Sequence, residues 1–147
     1  MLEESFIAVI TKFKYLFYKR FYDNLNNKDS GLTSTEAFCL DAIYILNRPT
    51  ITELAKFLKI SNSNVAYRIM NLINKGYVKK IQSQFDKREY YLLTTNKYDK
   101  YYGIDNELLE FVTSKLETKL TREEIKKLDQ SLRTVMEELE EENNIWN

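Results

Sequence analysis

The sequence predicts a mainly α-helical protein with one small β-hairpin. Gly and Pro, the residues that most often interrupt helices, number only three and one among 147 residues. Along most of the chain, apolar residues recur at three- and four-residue steps, which is the spacing of one helix face. Residues 77–95 differ, because Tyr, Val, Ile, Leu and Thr there flank a charged centre. This stretch predicts two strands joined by a turn.

Two helices are predicted in the first third of the chain. The first runs from Glu3 to about Asn26, and its apolar face consists of Phe6, Val9, Ile10, Phe13, Leu16, Phe17 and Phe21. The second begins at residues 33–36, which offer hydroxyl N-caps and a glutamate in the first turn. It ends at Asn47, since the following residues 48–49 are Arg-Pro and do not continue a helix.

Two shorter helices follow, joined by a tight turn. The first occupies residues 50–58, the turn residues 59–61, and the second residues 62–75, where Gly76 ends it. Their inward faces consist of Leu54, Ala55, Leu58, Val65, Ile69, Leu72 and Ile73. A short helix, a tight turn and a longer helix capped by Ser61 have the layout of a helix-turn-helix.

The hairpin and two C-terminal helices complete the chain. The strands are predicted at residues 77–82 and 89–95, on either side of a charged tip. After Asn96 a helix is expected to resume, with Gly103 kinking it or delaying its start. Its apolar residues are Leu108, Leu109, Phe111, Val112, Leu116 and Leu120. A capping box at residues 121–124 opens the last helix, whose apolar stripe consists of Ile125, Leu128, Leu132, Val135, Met136 and Leu139.

The formal net charge of zero conceals an uneven distribution. Residues 1–51 carry six basic and six acidic side chains, residues 52–100 carry ten and four, and residues 101–147 carry six and twelve. The three segments therefore have charges of 0, +6 and −6. A basic centre fits a protein with one face that binds a polyanion. The alternative, that the acidic end only balances the centre, is equally consistent with the charges.

The composition excludes several classes of site. Without His and with a single Cys, the usual zinc sites and the Ser-His and Cys-His catalytic pairs cannot be assembled, which leaves only carboxylate-based chemistry or a Lys base. No catalytic, metal or cofactor site is predicted. Cys39 is interpreted as a small buried hydrophobe, with oxidation as the alternative. No run approaches the roughly 18 apolar residues of a membrane span, and the N-terminus is acidic, so a cytoplasmic protein is expected.

Short motifs mark the predicted helix pair and hairpin. Residues 51–65 have Leu-Ala before the turn and Ser-x-Ser-x-Val at the start of the second helix, and Lys-Gly-Tyr-Val follows at residues 75–78. Asp-Lys-Arg stands at residues 86–88 and Thr-Thr at residues 94–95. In these motifs the chain resembles the MarR family of winged helix-turn-helix transcription regulators, whose helix pair has the same pattern and whose wing carries a similar Asp-x-Arg signature.

The resemblance implies a single domain over residues 1–147, mainly α with a small hairpin wing. Residues 32–100 would form the DNA-binding lobe, and residues 1–31 and 101–147 the dimerisation helices. The periodicity of these end helices is equally consistent with one bundle within a single chain. It further implies a homodimer that binds a pseudo-palindromic operator in double-stranded DNA, most often as a repressor. A small-molecule effector is left open, and the aromatics that would line its pocket are Phe13, Phe17, Phe38 and Tyr44. The alternative for these four is the core.

The second helix of the pair would read base edges in the major groove with its exposed N-terminal residues. These residues are Asn62, Ser63, Asn64, Tyr67 and Arg68. Tyr67 has an alternative role in packing against the wing, and Ser61 an alternative role as a helix cap alone.

The wing would contact the minor groove and the phosphates. Arg88 at the tip would enter a narrow A·T-rich minor groove, with Asp86 holding its guanidinium. Lys79, Lys80 and Lys87 would contact phosphates. The alternatives are that Asp86 only shapes the turn and that Arg88 is a solvated charge.

Two further hypotheses compete with a DNA-binding regulator. One is a winged-helix protein-interaction module without DNA binding, which would use the acidic C-terminal helix and the aromatic surface. The other, and the weaker, is an enzyme that uses Glu36, Asp41 or Glu53 as acid and base. No pattern in the sequence brings two of these carboxylates into one site.

Overall fold

A computed structural model describes the backbone of residues 1–146 and the side chains of residues 1–142. The described elements, in chain order, are α1 (Leu2–Leu25), α2 (Ser34–Leu46), α3 (Ile51–Leu58), α4 (Asn62–Asn74), β1 (Val78–Gln82), β2 (Tyr90–Thr94), α5 (Asn96–Tyr101), α6 (Asn106–Lys119) and α7 (Arg122–Trp146). The chain forms two compact units, Met1–Ile104 and the residues from Asp105 onward. This order confirms the predicted fold class, a mainly α-helical winged helix-turn-helix.

Hydroxyl side chains set the starts of α2, α3 and α4. Thr33 forms a capping box with Glu36, in which the Glu36 backbone N–H donates to Thr33 Oγ1 at 3.2 Å and the Thr33 N–H donates to Glu36 Oε2 at 3.0 Å. Thr50 and Glu53 repeat this box at the start of α3. At the start of α4, Ser61 Oγ accepts from the backbone N–H of residue 64 at 3.2 Å. The three helices therefore begin where the sequence predicts.

Left-handed residues end α3 and α4. Lys59 has φ +55°, and the next residue, Ile60, donates its N–H to the carbonyl of Ala55 at 3.2 Å. Gly76 has φ +81°, and Tyr77 donates its N–H in the same way, five residues back, at 2.9 Å. Both ends are Schellman motifs, which satisfy free helix carbonyls while the chain reverses. At Lys59 this motif makes the tight turn between α3 and α4.

The core of the first unit lies between helices α2 to α5 and one face of the hairpin. Its most buried side chains include Leu40, Ile43, Leu54, Val65, Ile69, Leu72, Tyr77, Leu92 and Tyr98. The strands β1 and β2 are antiparallel, with Val78 opposite Thr94 and Gln82 opposite Tyr90. The Leu92 N–H donates to the Pro49 carbonyl at 2.9 Å, which attaches the wing to the chain just before α3.

The segment after the wing differs from the prediction in one respect. A helix resumes at Asn96 as expected, but α5 ends after six residues. A Cβ on Gly103 would lie 2.8 Å from the Asp99 Cα, so the chain passes closer to α5 here than a side chain would allow. A separate helix, α6, then starts with Asp105 as its cap, whose Oδ1 accepts from the Leu108 N–H at 3.1 Å. Gly103 thus marks a break between two helices.

Helix α1 closes the end of α5. The Arg20 guanidinium donates to the carbonyls of Gly103, Asp99 and Lys100, the last at 3.2 Å. The Asn24 side-chain amide donates to a further carbonyl at the end of α5. Because the last carbonyls of a helix have no partner within it, these side chains of α1 act as the cap of α5.

Two helices expose apolar faces in the single chain. In α1, Phe21 is buried, whereas Ile10 and Phe13 are 53% and 51% exposed. In α7, the middle of the predicted stripe is also open to solvent, with Leu132 59% exposed. Apolar surface of this extent on adjacent turns is typical of an interaction face. No helix within residues 1–146 combines the length and apolarity that crossing a membrane requires.

Candidate nucleic-acid interface

Helix α4 has one buried face and one exposed face. Val65, Ile69 and Leu72 are fully buried against the core. On the opposite side, Ser63, Tyr67 and Met70 follow one another at four- and three-residue steps, and Ala66 lies beside them. Tyr67 is 66% exposed and Met70 61%. The exposed face therefore combines polar, aromatic and apolar groups near the N-terminal end of the helix.

Polar contacts hold the start of α4 in place. The Asn62 side-chain amide donates to Thr52 Oγ1 at 3.2 Å and so ties α4 to the start of α3. Ser61 and Ser63 place their hydroxyl oxygens 3.2 Å apart. Asn64 is exposed, and its backbone N–H is the one that Ser61 caps. Of the polar residues predicted to face DNA, Ser61, Asn62 and Ser63 thus also have side-chain partners within the protein.

Arg68 lies on a different side of α4 from Tyr67. It is half-buried, and it is close enough to Cys39 for its charge to act on the thiol. Successive helix residues are separated by about 100° around the axis, so only one of this pair can lie at the centre of the exposed face. The sequence prediction grouped these two residues and missed Ala66 and Met70. The three- and four-residue spacing from Ser63 was the signal that would have identified them.

The hairpin register separates two lysines predicted to contact phosphates. Lys79 lies opposite Leu93, and Lys80 lies opposite the buried Leu92. Since neighbouring strand residues point to opposite faces, the two side chains leave the hairpin on opposite sides. Both are exposed, and Lys80 Nζ lies 5.7 Å from the centre of the Tyr90 ring.

At the wing tip, Asp86 contacts Arg88 twice. Asp86 Oδ1 accepts from the Arg88 backbone N–H at 2.9 Å and lies 3.4 Å from Arg88 Nε. The carboxylate therefore shapes the turn and also contacts the guanidinium, so the two roles predicted for Asp86 occur together. The Arg88 side chain is 92% exposed, and the neighbouring Lys87 is exposed as well.

Two cations of the basic residues 52–100 bind other groups of the protein. Lys75 Nζ lies 2.8 Å from Glu36 Oε2, and Lys97 Nζ donates to the Lys75 carbonyl at 2.8 Å. Burial alone would raise the pKa of Glu36, but Lys75 and the N-cap Thr33 hold that pKa below its usual value. The exposed cations of the segment, which form its basic surface, include Lys56, Lys59, Lys79, Lys80, Lys87 and Arg88.

The aromatics predicted for a ligand pocket occupy different surroundings. Phe38 stacks on the buried Phe21, with ring centres 4.5 Å apart, and Phe17 lies 5.8 Å from the same ring. Phe13 is half exposed on α1. Tyr44 lines a cavity of about 400 Å³ between the end of α2 and β2, whose other lining residues are Ile43, Ile45, Asn47, Arg48, Leu92, Leu93 and Thr94. That cavity does not unite the four aromatics, whose role in ligand binding stays a prediction.

The three candidate carboxylates for an enzyme lie in separate contacts. Glu36 pairs with Lys75, Glu53 belongs to the box that starts α3, and Asp41 Oδ1 accepts from the Tyr98 hydroxyl at 2.8 Å. Burial raises the pKa of Asp41, although the Tyr98 hydrogen bond opposes this.

The single thiol is deeply buried, as the sequence predicted. Cys39 is 1% exposed, and burial raises its pKa to about 11, although the positive charge of Arg68 pulls in the other direction. A reactive cysteine needs an accessible thiolate, so this position has the properties of a packing residue. Among the residues that the structure describes, no three His, Cys, Asp or Glu side chains are grouped to hold a metal ion.

Comparison with known proteins gives a family match over the region just described. Residues 32–90, from the cap of α2 to the start of β2, match the model of the MarR family. No curated protein matched the chain.

Solved structures resemble more than nine tenths of the chain. A MepR mutant from a multidrug-resistant S. aureus clinical isolate is 16% identical, with 95% of this chain and 97% of that one covered and a TM-score of 0.60. Streptococcus pneumoniae FabT in complex with DNA is 18% identical, with 96% and 99% covered and a TM-score of 0.56. A transcriptional regulator from Thermotoga maritima is 23% identical, with 92% and 96% covered and a TM-score of 0.55. These similarities show the fold.

Proposed function

Because residues 32–90 match the model of the MarR family, we propose that this protein is a homodimeric transcription regulator that binds specific sequences in double-stranded DNA. The observation that carries the proposal is the exposed face of α4, which lies in the same compact unit as a wing with an exposed arginine at its tip. A helix-turn-helix and a wing contact the two kinds of groove. FabT, which has this fold, was solved in complex with DNA, and MarR-family proteins are transcription regulators rather than enzymes.

The N-terminal half of α4 lies in the major groove in this proposal. Asn62, Ser63, Asn64 and Tyr67 face base edges there, with Arg68 at the flank. Ala66 and Met70, on the same exposed face as Tyr67, supply apolar surface of the kind that contacts thymine methyl groups. Ser61 keeps its role as the cap that orients the helix.

The wing supplies the second contact. Arg88 enters the minor groove, where the negative potential is greatest in A·T-rich sequence, and Asp86 restrains its guanidinium. Lys79, Lys80 and Lys87 contact phosphates; since Lys79 and Lys80 leave the hairpin on opposite faces, they contact different phosphates.

The dimer would form through the apolar faces that a single chain leaves in solvent. Residues 1–31 and 101–147 supply the interface, and the exposed stripe of α7 is its best candidate centre. Two copies of α4 would then reach successive major grooves about 34 Å apart. We propose that the dimer acts in the cytoplasm as a repressor, and that a small-molecule effector, if one acts, changes the distance between the two helices.

Selection of bound duplexes from a random DNA pool tests the proposal. Wild-type protein should enrich an inverted repeat at about 150 mM salt, with an affinity that falls steeply as salt rises. Arg88→Ala should weaken binding to that repeat and lower the salt slope by about one ion. Lys100→Ala, which removes an exposed cation outside the wing and outside the proposed dimer helices, is the control and should bind like wild type.

A folded, dimeric protein that leaves the pool unenriched, even at about 50 mM salt, would overturn the proposal. The winged-helix protein-interaction module would then take its place.

A further inference from the structure

The wing tip presents a phenylalanine to solvent. Phe85 is 97% exposed, whereas Phe57, another exposed phenylalanine in the same unit, is 52% exposed. An aromatic ring in water loses the favourable free energy of burial. The Phe85 ring therefore contributes nothing to the core of this chain and is free to contact a partner.

The backbone that carries this ring is held by hydrogen bonds. Ser83 is 4% exposed, and its Oγ accepts from the backbone N–H of Phe85 at 3.2 Å and of Asp86 at 3.3 Å. The Ser83 N–H donates to the Glu89 carbonyl at 2.9 Å, and the Glu89 N–H donates to the Asp86 carbonyl at 3.0 Å. The loop is thus closed on itself around the position of the ring. Because the loop is already ordered, little further conformational entropy of its backbone is lost when the ring binds a partner.

The charges around the ring favour a polyanion as the partner. The wing and its tip carry four cations, Lys79, Lys80, Lys87 and Arg88, against the two carboxylates Asp86 and Glu89. Asp86 is already engaged by Arg88. A partner with phosphates on its outside and apolar, stacked bases within matches an aromatic ring flanked by cations. Duplex DNA has these properties, and a ring inserted from the minor groove reaches the bases between its two phosphate walls.

We propose that Phe85 is a wedge that enters the minor groove beside Arg88 and partly unstacks one base step. The inference depends on the proposed DNA binding and adds a determinant of specificity to it. Pyrimidine–purine steps such as TA and CA open most easily, whereas A-tracts are stiff. The wing therefore selects a deformable step without a hydrogen bond to any base.

Two readouts on the selected operator test the wedge. Dissociation constants are measured for wild type, Phe85→Ala and Phe85→Leu on operators that carry either TA or an A-tract where the wing binds. Stacking of an aromatic side chain on a base corresponds to about 5- to 150-fold in affinity. We expect Phe85→Ala to weaken binding about tenfold on the TA operator and less on the A-tract operator, with Phe85→Leu between it and wild type.

The second readout reports unstacking directly. 2-Aminopurine, whose fluorescence rises when it is unstacked, replaces successive adenines in the flank that the wing contacts. Binding of wild type should raise the signal at one step, and Phe85→Ala should abolish that rise. Gln84→Ala, which changes the neighbouring exposed residue of the same tip, is the matched control and should behave like wild type in both assays.

The outcomes separate the wedge from the proposed function. If wild type and Phe85→Ala bind the operator equally and neither changes the fluorescence, the wedge is wrong while DNA binding stands. A ring that docks another protein would give the same result. Equal loss of affinity on both operators without a fluorescence change would also overturn the wedge. Failure of wild type to bind any duplex would instead refute the regulator itself.

Discussion

The ion pair between Lys75 and Glu36 links the end of α4 to the start of α2, and Lys75→Met should reveal its contribution to stability. The Glu36 side chain is 10% exposed and that of Lys75 is 36% exposed, with 2.8 Å between Nζ and Oε2. Methionine keeps the length of the side chain but leaves the buried carboxylate without its cation. A hydrogen bond to a charged group contributes about 1.5–3 kcal/mol. Because Lys75 is partly solvated, we expect a loss of about 2 kcal/mol.

The loss should depend on pH with a defined sign. The pKa of Glu36 lies below its usual value of 4.5 in the folded protein, so its contribution is fully present above that value and is lost as pH falls through the folded pKa. Lys75→Met removes a main cause of the lowering. The stability gap between wild type and variant should therefore be widest near neutral pH and should narrow below about pH 4.5.

Urea unfolding followed by circular dichroism measures the effect. For a slope of about 2 kcal/mol per molar urea, the midpoint should fall by about 1 M with the slope unchanged. Glu36→Gln combined with Lys75→Met should recover part of the loss, because no buried charge remains unpaired. The exposed pair of Arg133 and Asp129, at a similar 2.9 Å, is the control, and Arg133→Met should leave the midpoint unchanged. A gap that stays constant from pH 7 to about pH 3 would refute the electrostatic explanation.

Two other substitutions give further predictions. Gly103→Ala places a methyl group 2.8 Å from the Asp99 Cα. Because backbone cannot give way as a side chain can, the free energy of unfolding, measured with heat or urea, should fall by about 1–3 kcal/mol. A variant as stable as wild type would contradict this, since it would mean that the chain can shift here. Burial raises the pKa of Asp41 in the folded protein above its usual 3.8. The stability of wild type therefore falls as pH rises from 3.8 through that raised pKa, and Asp41→Asn should be at least as stable as wild type at neutral pH. The variant should lack that fall in a pH series of unfolding midpoints, and a marked loss of stability at pH 7 would contradict the assignment.

Local sequence was sufficient to predict where most elements begin and end. Thr33, Thr50 and Ser61 cap their helices through residues no more than three positions away. Gly76 ends α4 through its own backbone conformation. Such features depend on a few neighbouring residues, and for that reason a single sequence reveals them.

Contacts between residues far apart in the chain could not be predicted from the sequence. Lys75 and Glu36 are 39 positions apart, and no periodicity indicates that they meet. The roles of α1 in capping α5 and of Gly103 in separating α5 from α6 depend on the same kind of long-range packing. In the candidate interface, the types of residue were predictable but their directions were not. Arg68 is half-buried while Tyr67 is exposed, because burial of Val65, Ile69 and Leu72 in the core fixes which face of α4 meets solvent.

The capping of α5 by α1 also has a consequence for synthesis of the chain. Arg20 is made 83 residues before Gly103, whose carbonyl it binds. At about 5–20 residues per second, roughly 4 to 17 seconds pass between the synthesis of Arg20 and that of this partner. During that interval Phe21 cannot be covered by the ring of Tyr102. Helix α1 is made before α2 to α5 and therefore reaches its final contacts late, and Phe21 is available to a chaperone until Tyr102 has been made.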